Sequence, residues 1–136
     1  MRHKNKTLAT LLAIVLGGFG VHRFYLYGLR DIWGWLHLAT IPISLAIWLA
    51  VPEQQLLFVG GLFVASVLIG LLEALVIGLT PDLRWDASHN PATGRHSSSG
   101  WPVVLLLILA MAGGTTGLIA AIARTFDLLF TGGAYG

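Results

Sequence analysis

The chain has 136 residues, of which 56% are hydrophobic and 10% charged, with a formal net charge of +2 and no cysteine. Ordinary globular chains carry roughly 25% charged residues, so this composition excludes a soluble enzyme of normal design. It also excludes disulfides and thiolate chemistry, and the small net charge gives no reason to expect nucleic acid as a partner.

Hydrophobicity is gathered into four runs, Leu8–Val21, Ile32–Val51, Leu56–Leu79 and Trp101–Ala123, which together hold two titratable side chains, His37 and Glu73. With a mean hydropathy of +0.80, the chain lacks the polar residues to cover such a core in water. A bilayer removes that demand, at about 20 apolar residues per crossing helix. Backbone groups in lipid must be satisfied internally, and helices of this length do so. No alternating strand pattern occurs. The sequence therefore predicts an all-α integral membrane four-helix bundle, one domain over 1–136, with short connections and one longer polar loop.

A basic tail, residues 1–6, precedes a first helix expected over about 7–21. No small-residue cleavage pattern follows it, so it reads as a retained helix rather than a removed signal. It is expected to continue through His22–Gly28, with Gly17, Gly18 and Gly20 loosening it or admitting another backbone. The second helix, about 32–51, contains Pro42, which predicts a kink. Pro52–Gln55 is a minimal loop, making the second and third helices (about 56–79) an antiparallel hairpin. Residues 80–100 form the polar loop, with an ordered start and a flexible second half. The fourth helix, about 101–123, is expected to end at Arg124–Asp127, leaving the tail along the interface.

Four crossings would put the tail, the second loop and the C-terminus on one side, with Arg2, Lys4, Lys6 and Arg124. The first and third loops on the other side carry Arg23, Arg30, Arg84 and Arg95. Basic residues thus tie four to four. The three that precede the first helix favour an N-terminus inside, in a bacterial inner membrane.

The stretch Leu16-Gly-Gly-Phe-Gly-Val-His-Arg-Phe-Tyr-Leu26 resembles the signature of the TM-two domain family, small membrane proteins built on a pair of helices. Lys4 and Lys6 fit the family's basic start, and Gly17 to Leu26 fit its G-x-F-G-x-H/D-R-F-Y-L pattern at matching spacing. The good match covers about residues 4–36. The chain departs from the pattern at Tyr27, which precedes Gly28, and in having no acidic residue in its second helix. Glu73 looks like the counterpart of the family's acidic residue, which implies an inserted helix and an appended fourth. The resemblance implies a membrane fold and transfers no chemistry.

Glu73 lies six residues inside its helix, roughly 9 Å along the axis, where an ionised carboxylate costs about 2.5–3.5 kcal/mol on insertion scales. It must face protein and find partners. His37, five residues inside the second helix, falls at similar depth, with His22 and Arg23 on the same side. These four are expected to form a structural polar cluster; an ion or proton pathway through Glu73 and His37 is the alternative. Arg23 holds its charge and needs acceptors, the candidates being Glu73, Asp31, Asp82, Asp86, helix C-terminal carbonyls and lipid phosphates.

Ser66, Gly70, Ala74 and Gly78 recur every four residues and, with Gly61, make a small-residue stripe. Gly113 and Gly117 supply a second close-approach site. Tyr25, Tyr27, Arg30, Trp33, Trp35, Trp85 and Trp101 are expected as an interfacial belt touching lipid. His89 and His96, seven apart among Asp82 and Asp86, lack the spacing of a metal set. No nucleophile–base pair or phosphate loop appears, and no cofactor is expected. The leading expectation is a non-catalytic membrane protein acting through helix–helix contact, with itself or with other membrane subunits.

Overall fold

The computed structural model describes residues 3–135, and most of each apolar run is helical. Six α-helices follow in order: α1 Lys6–Leu16, α2 Val21–Tyr27, α3 Ile32–Ala50, α4 Leu56–Leu79, α5 Asp82–His89 and α6 Trp101–Thr131. Three of them, α3, α4 and α6, are long and apolar enough to cross a bilayer. At 1.5 Å per residue they measure about 28, 36 and 46 Å, against a hydrocarbon core of about 30 Å.

The first segment departs from expectation. It does not run on as one helix through His22–Gly28. The α-helix stops at Leu16, a 3-10 turn covers Gly17–Phe19, and Gly20 sits in the left-handed region at φ 70°. The chain then reverses into α2, whose end returns to the start of α1. The Tyr25 hydroxyl accepts from the Asn5 N–H at 2.8 Å, and the Lys4 ammonium donates to the Leu26 carbonyl. At 11 residues, α1 is about 16 Å long, half of what a crossing needs. The α1–α2 pair is therefore a hairpin that enters and leaves at one end of the bundle. Four crossings become three plus this hairpin.

Glycine makes the reversal possible. A Cβ on Gly20 would lie 2.6 Å from the Gly34 carbonyl oxygen, and no other residue adopts its φ without strain. Just before it, a Cβ on Gly70 would lie 2.7 Å from the Gly17 backbone. The two helices thus touch backbone to backbone, as small residues allow in membranes. Along this antiparallel seam Lys6 reaches Thr80 and Asp82, Thr10 faces Gly78, and Gly18 faces Phe63 and Val67.

Helix α4 is the hub, contacting α1, the 3-10 turn, α3 and α6. Ser66, Gly70, Ala74 and Gly78 are buried along it. Two of the small residues expected in packing seams are not: Gly61 has open space where its Cβ would be, and so does Gly113, which is exposed. Gly117 does meet α4, 3.3 Å from Leu68. Helix α3 runs unbroken through Pro42. Helix α6 continues past Ala123 to Thr131, so the tail expected along the interface is mostly helix. Thr125 and Thr131 donate to carbonyls one turn back, and Arg124 pairs with Asp127 while reaching Gln55 at 2.6 Å.

The polar stretch is more ordered than its composition suggests. Asn90 accepts from the Lys4 N–H at 2.7 Å and donates to the Lys4 carbonyl at 3.1 Å. Asp86 receives the backbone and hydroxyl of Ser97, and Asp82 those of Ser99, at 2.6–2.7 Å. The hydrogen bonds from Ser97 and Asn90 hold the Asp86 carboxyl down to about 2. Residues 80–100 thus clasp the N-terminal segment instead of leaving a free second half.

Because Gly17 and Gly70 touch through backbone, replacing Gly70 by Ala forces the helices apart. We expect a loss of about 1–3 kcal/mol, the usual cost of overpacking. Gly61→Ala, with open space around it, should be neutral or slightly stabilising. Thermal denaturation of the two variants in one detergent compares them directly.

Candidate functional site

The end of α2, the α2–α3 connection and the middle of α3 converge on one carboxylate of α4. Asp31 caps α3, accepting from the Gly34 N–H at 2.8 Å, and its second task is to hold Arg23. The Arg23 Nε donates to Asp31 at 2.8 Å and its Nη1 to Glu73 at 2.5 Å. The guanidinium fork therefore bridges two helices through two carboxylates with separate nitrogens held in one plane, a geometry the single nitrogen of an ammonium lacks. Its other flank lies against the Tyr27 ring, 5.1 Å from the centroid. Hydrogen bonding to Arg23 is the main reason the Asp31 carboxyl is held below its usual range.

The remaining oxygen of Glu73 faces two imidazoles. His22 Nε2 lies 2.5 Å away and His37 Nε2 3.5 Å away. The rings stand edge to face, centroids 5.9 Å apart. His22 is 1% exposed and His37 6%, whereas Arg23 and Glu73 keep 19% and 23%. That residual exposure faces a groove of about 460 Å³ between α3 and α4, lined by the cluster and by Trp33, Leu36, Leu62 and Ile69. On the inner side His37 Nδ1 meets Ser66 Oγ at 2.7 Å, and Ser66 donates to the Gly18 carbonyl at 2.8 Å. The exposed 3-10 turn carbonyl is thereby satisfied at membrane depth, as it must be.

The four residues singled out in the sequence, His22, Arg23, His37 and Glu73, thus meet at one point. Asp31, named beforehand only as a possible acceptor, is a full member. Ser66, read as a small packing residue, is also a hydrogen-bonding one; its hydroxyl at the depth of a glycine-rich turn was the available signal. The aromatic set divides. Tyr27, Trp33, Trp35 and Trp101 are exposed at the loop end, as is Arg30. Tyr25 is partly buried and bonded to Asn5. Trp85 is not interfacial. It is 1% exposed, donates to the Lys4 carbonyl at 3.0 Å and stacks on His89 at 4.0 Å. The amphipathic α5 lays its one large ring inward over the N-terminal segment. Among the described residues no group of His, Asp and Glu is placed to hold a metal ion.

Residues 2–51 match the family model of the TM2 domain. That segment is a TM2 domain. The match covers α1, α2 and α3, so α3 is its last helix and Glu73 lies beyond it, on α4. The TM2 domain thus contributes His22, Arg23, Asp31 and His37, and the following helix contributes Glu73 and Ser66. No curated protein and no solved structure matches the chain.

Arg23→Lys keeps the charge and loses the fork that joins Asp31 to Glu73. A stability loss of about 1–3 kcal/mol is expected, as for an unsatisfied buried partner, and a larger one for Arg23→Ala. Thermal melts of purified variants measure both, and wild-type behaviour of each would make Arg23 a solvated residue.

Proposed function

We propose that the protein is non-catalytic and acts through its helix faces, as a homo-oligomer or as a small accessory subunit of a larger membrane complex. The carrying observation is how little of the spanning surface the chain covers itself. Only Gly34 and His37 of α3, and only Val103 and Ala110 of α6, are buried. On α6, Gly113, Thr116 and Ala120 are exposed at spacings that place them on one side. A side of small residues admits a second helix more closely than lipid alone requires. Polar groups stop at mid-depth: past Ser44 on α3 and before Ser66 on α4 only the Trp48 indole is polar. A pathway would need polar groups at the other depths, so the association reading is favoured over conduction.

Native electrophoresis and mass spectrometry after mild extraction test the proposal. A stable homo-oligomer or a defined partner in constant ratio is expected, and a lone monomer in several detergents overturns it. Because the chain lacks cysteine, Gly113→Cys and Ala120→Cys offer unique probes; disulfide trapping between copies at these sites would favour the homo-oligomer.

The hairpin also supports a proposal for orientation. The proposed location is a cytoplasmic (bacterial inner) membrane with the N-terminus inside. With α1 and α2 both opening at the loop end, Lys4, Lys6, Arg23, Arg30, Arg84 and Arg95 gather there, against Arg124 at the other end. That is six to one among the described residues, replacing the earlier tie and favouring the loop end as cytoplasmic. The C-terminus then lies outside, opposite the N-terminus. Labelling with a membrane-impermeant maleimide should modify Ala134→Cys in intact cells and Ser98→Cys only after permeabilisation. Equal access to both from one side would restore an even number of crossings.

A further inference from the structure

We propose that the Glu73–His37 pair is a binding site for a single proton, which neutralises the cluster and keeps the α1–α2 hairpin latched to α4. This inference is independent of the association reading. Its first support is the direction of the hydrogen bonds. A carbonyl oxygen cannot donate, so the contact between Ser66 and the Gly18 carbonyl uses the only hydroxyl hydrogen of Ser66. His37 Nδ1, 2.7 Å from the same hydroxyl oxygen, must then be the donor. In a neutral His37 this leaves a lone pair on Nε2, which lies 3.5 Å from a Glu73 oxygen. Two acceptors face each other unless one further proton lies on either of them.

The second support is charge. Among the described residues the titratable groups packed around Glu73 are His22 and Arg23 from α2, Asp31 from the connection, and His37 from α3, with the Tyr27 ring against Arg23. The α1 helix and its 3-10 turn present no ionisable side chain here; the contacts are Gly17 and Gly18. One cation and two carboxylates sum to −1 with both imidazoles neutral. Uncompensated charge at this depth is costly, and one proton removes it.

His22 is not where that proton resides. Its Nε2 hydrogen serves the 2.5 Å contact to Glu73, and its Nδ1 is buried with no partner among the described residues. A second ring hydrogen there would be a buried orphan donor. The site is also reachable, because the groove between α3 and α4 is lined by both His37 and Glu73.

Folding then takes up one proton more than the unfolded chain holds once the solution pH exceeds the ordinary histidine range. The sign follows: above the ordinary histidine range, where the unfolded chain has released its histidine protons, stability is lost as pH rises, by up to tenfold in the folding constant per pH unit. The wild-type melting temperature should therefore fall between about pH 7 and about pH 9, while Glu73→Gln, which mimics the neutral carboxyl, should be nearly flat over that range. A flat wild-type profile overturns the proposal. Should Glu73→Gln fail to fold, histidine- and carboxyl-labelled wild type in bilayers decides alone by solid-state NMR at about pH 7. Either a doubly protonated His37 ring or a Glu73 carboxylic acid supports the site. A neutral His37 beside an ionised Glu73 refutes it.

Discussion

A carboxylate placed roughly 9 Å inside a membrane helix has to be answered by the rest of the chain. Glu73 is answered by Arg23 on one oxygen and by two histidines on the other, and these partners come from α2 and α3. Without α2 at membrane depth, neither His22 nor Arg23 could reach it. The reversal after α1 and the acidic residue on α4 are thus one device: the hairpin brings donors inward, and the carboxylate gives them a reason to stay.

That device depends on the absence of side chains next to it. The hairpin tip reaches α4 only because Gly17 and Gly70 meet through backbone, and it turns only because Gly20 adopts φ 70° beside Gly34. In lipid, where burying apolar groups between helices gains little over lipid tails, such close packing and the hydrogen bonds it permits carry the association. Ser66 shows the coupling well. It is small enough to sit in the seam, and its hydroxyl satisfies the turn carbonyl that the break in α1 exposes.

At the loop end the same economy appears in water-facing form. Residues 80–100 are tied by Asp82, Asp86 and Asn90 to serines of their own loop and to the backbone of Lys4. Trp85 is driven inward by this clasp. The TM2 domain of residues 2–51 is accordingly held by elements outside it at both depths, by α4 within the membrane and by α5 at its edge. The opposite end has little comparable polar structure beyond Gln55, Arg124 and Asp127.

Membrane insertion, helical class, the positions of α3 and α4 and the start of α6 could all be read from the sequence, because run length and hydropathy alone decide whether a segment suits lipid. The convergence of His22, Arg23, His37 and Glu73 was also readable, since depth along each helix follows from residue count and a charge in lipid needs company. The sequence could not say that α1 stops halfway. An apolar run of that length satisfies the lipid requirement whether it crosses or folds back, and the choice rests on one glycine's left-handed turn and the seam it fits. Only the tertiary structure settled that, and with it which basic residues share a side. It also decided that Trp85 is buried, that Gly61 and Gly113 face open space, and which nitrogen of His37 meets the carboxylate. These depend on which face each helix turns to its neighbours, and a residue's place in the chain does not encode that when nearly every face is apolar.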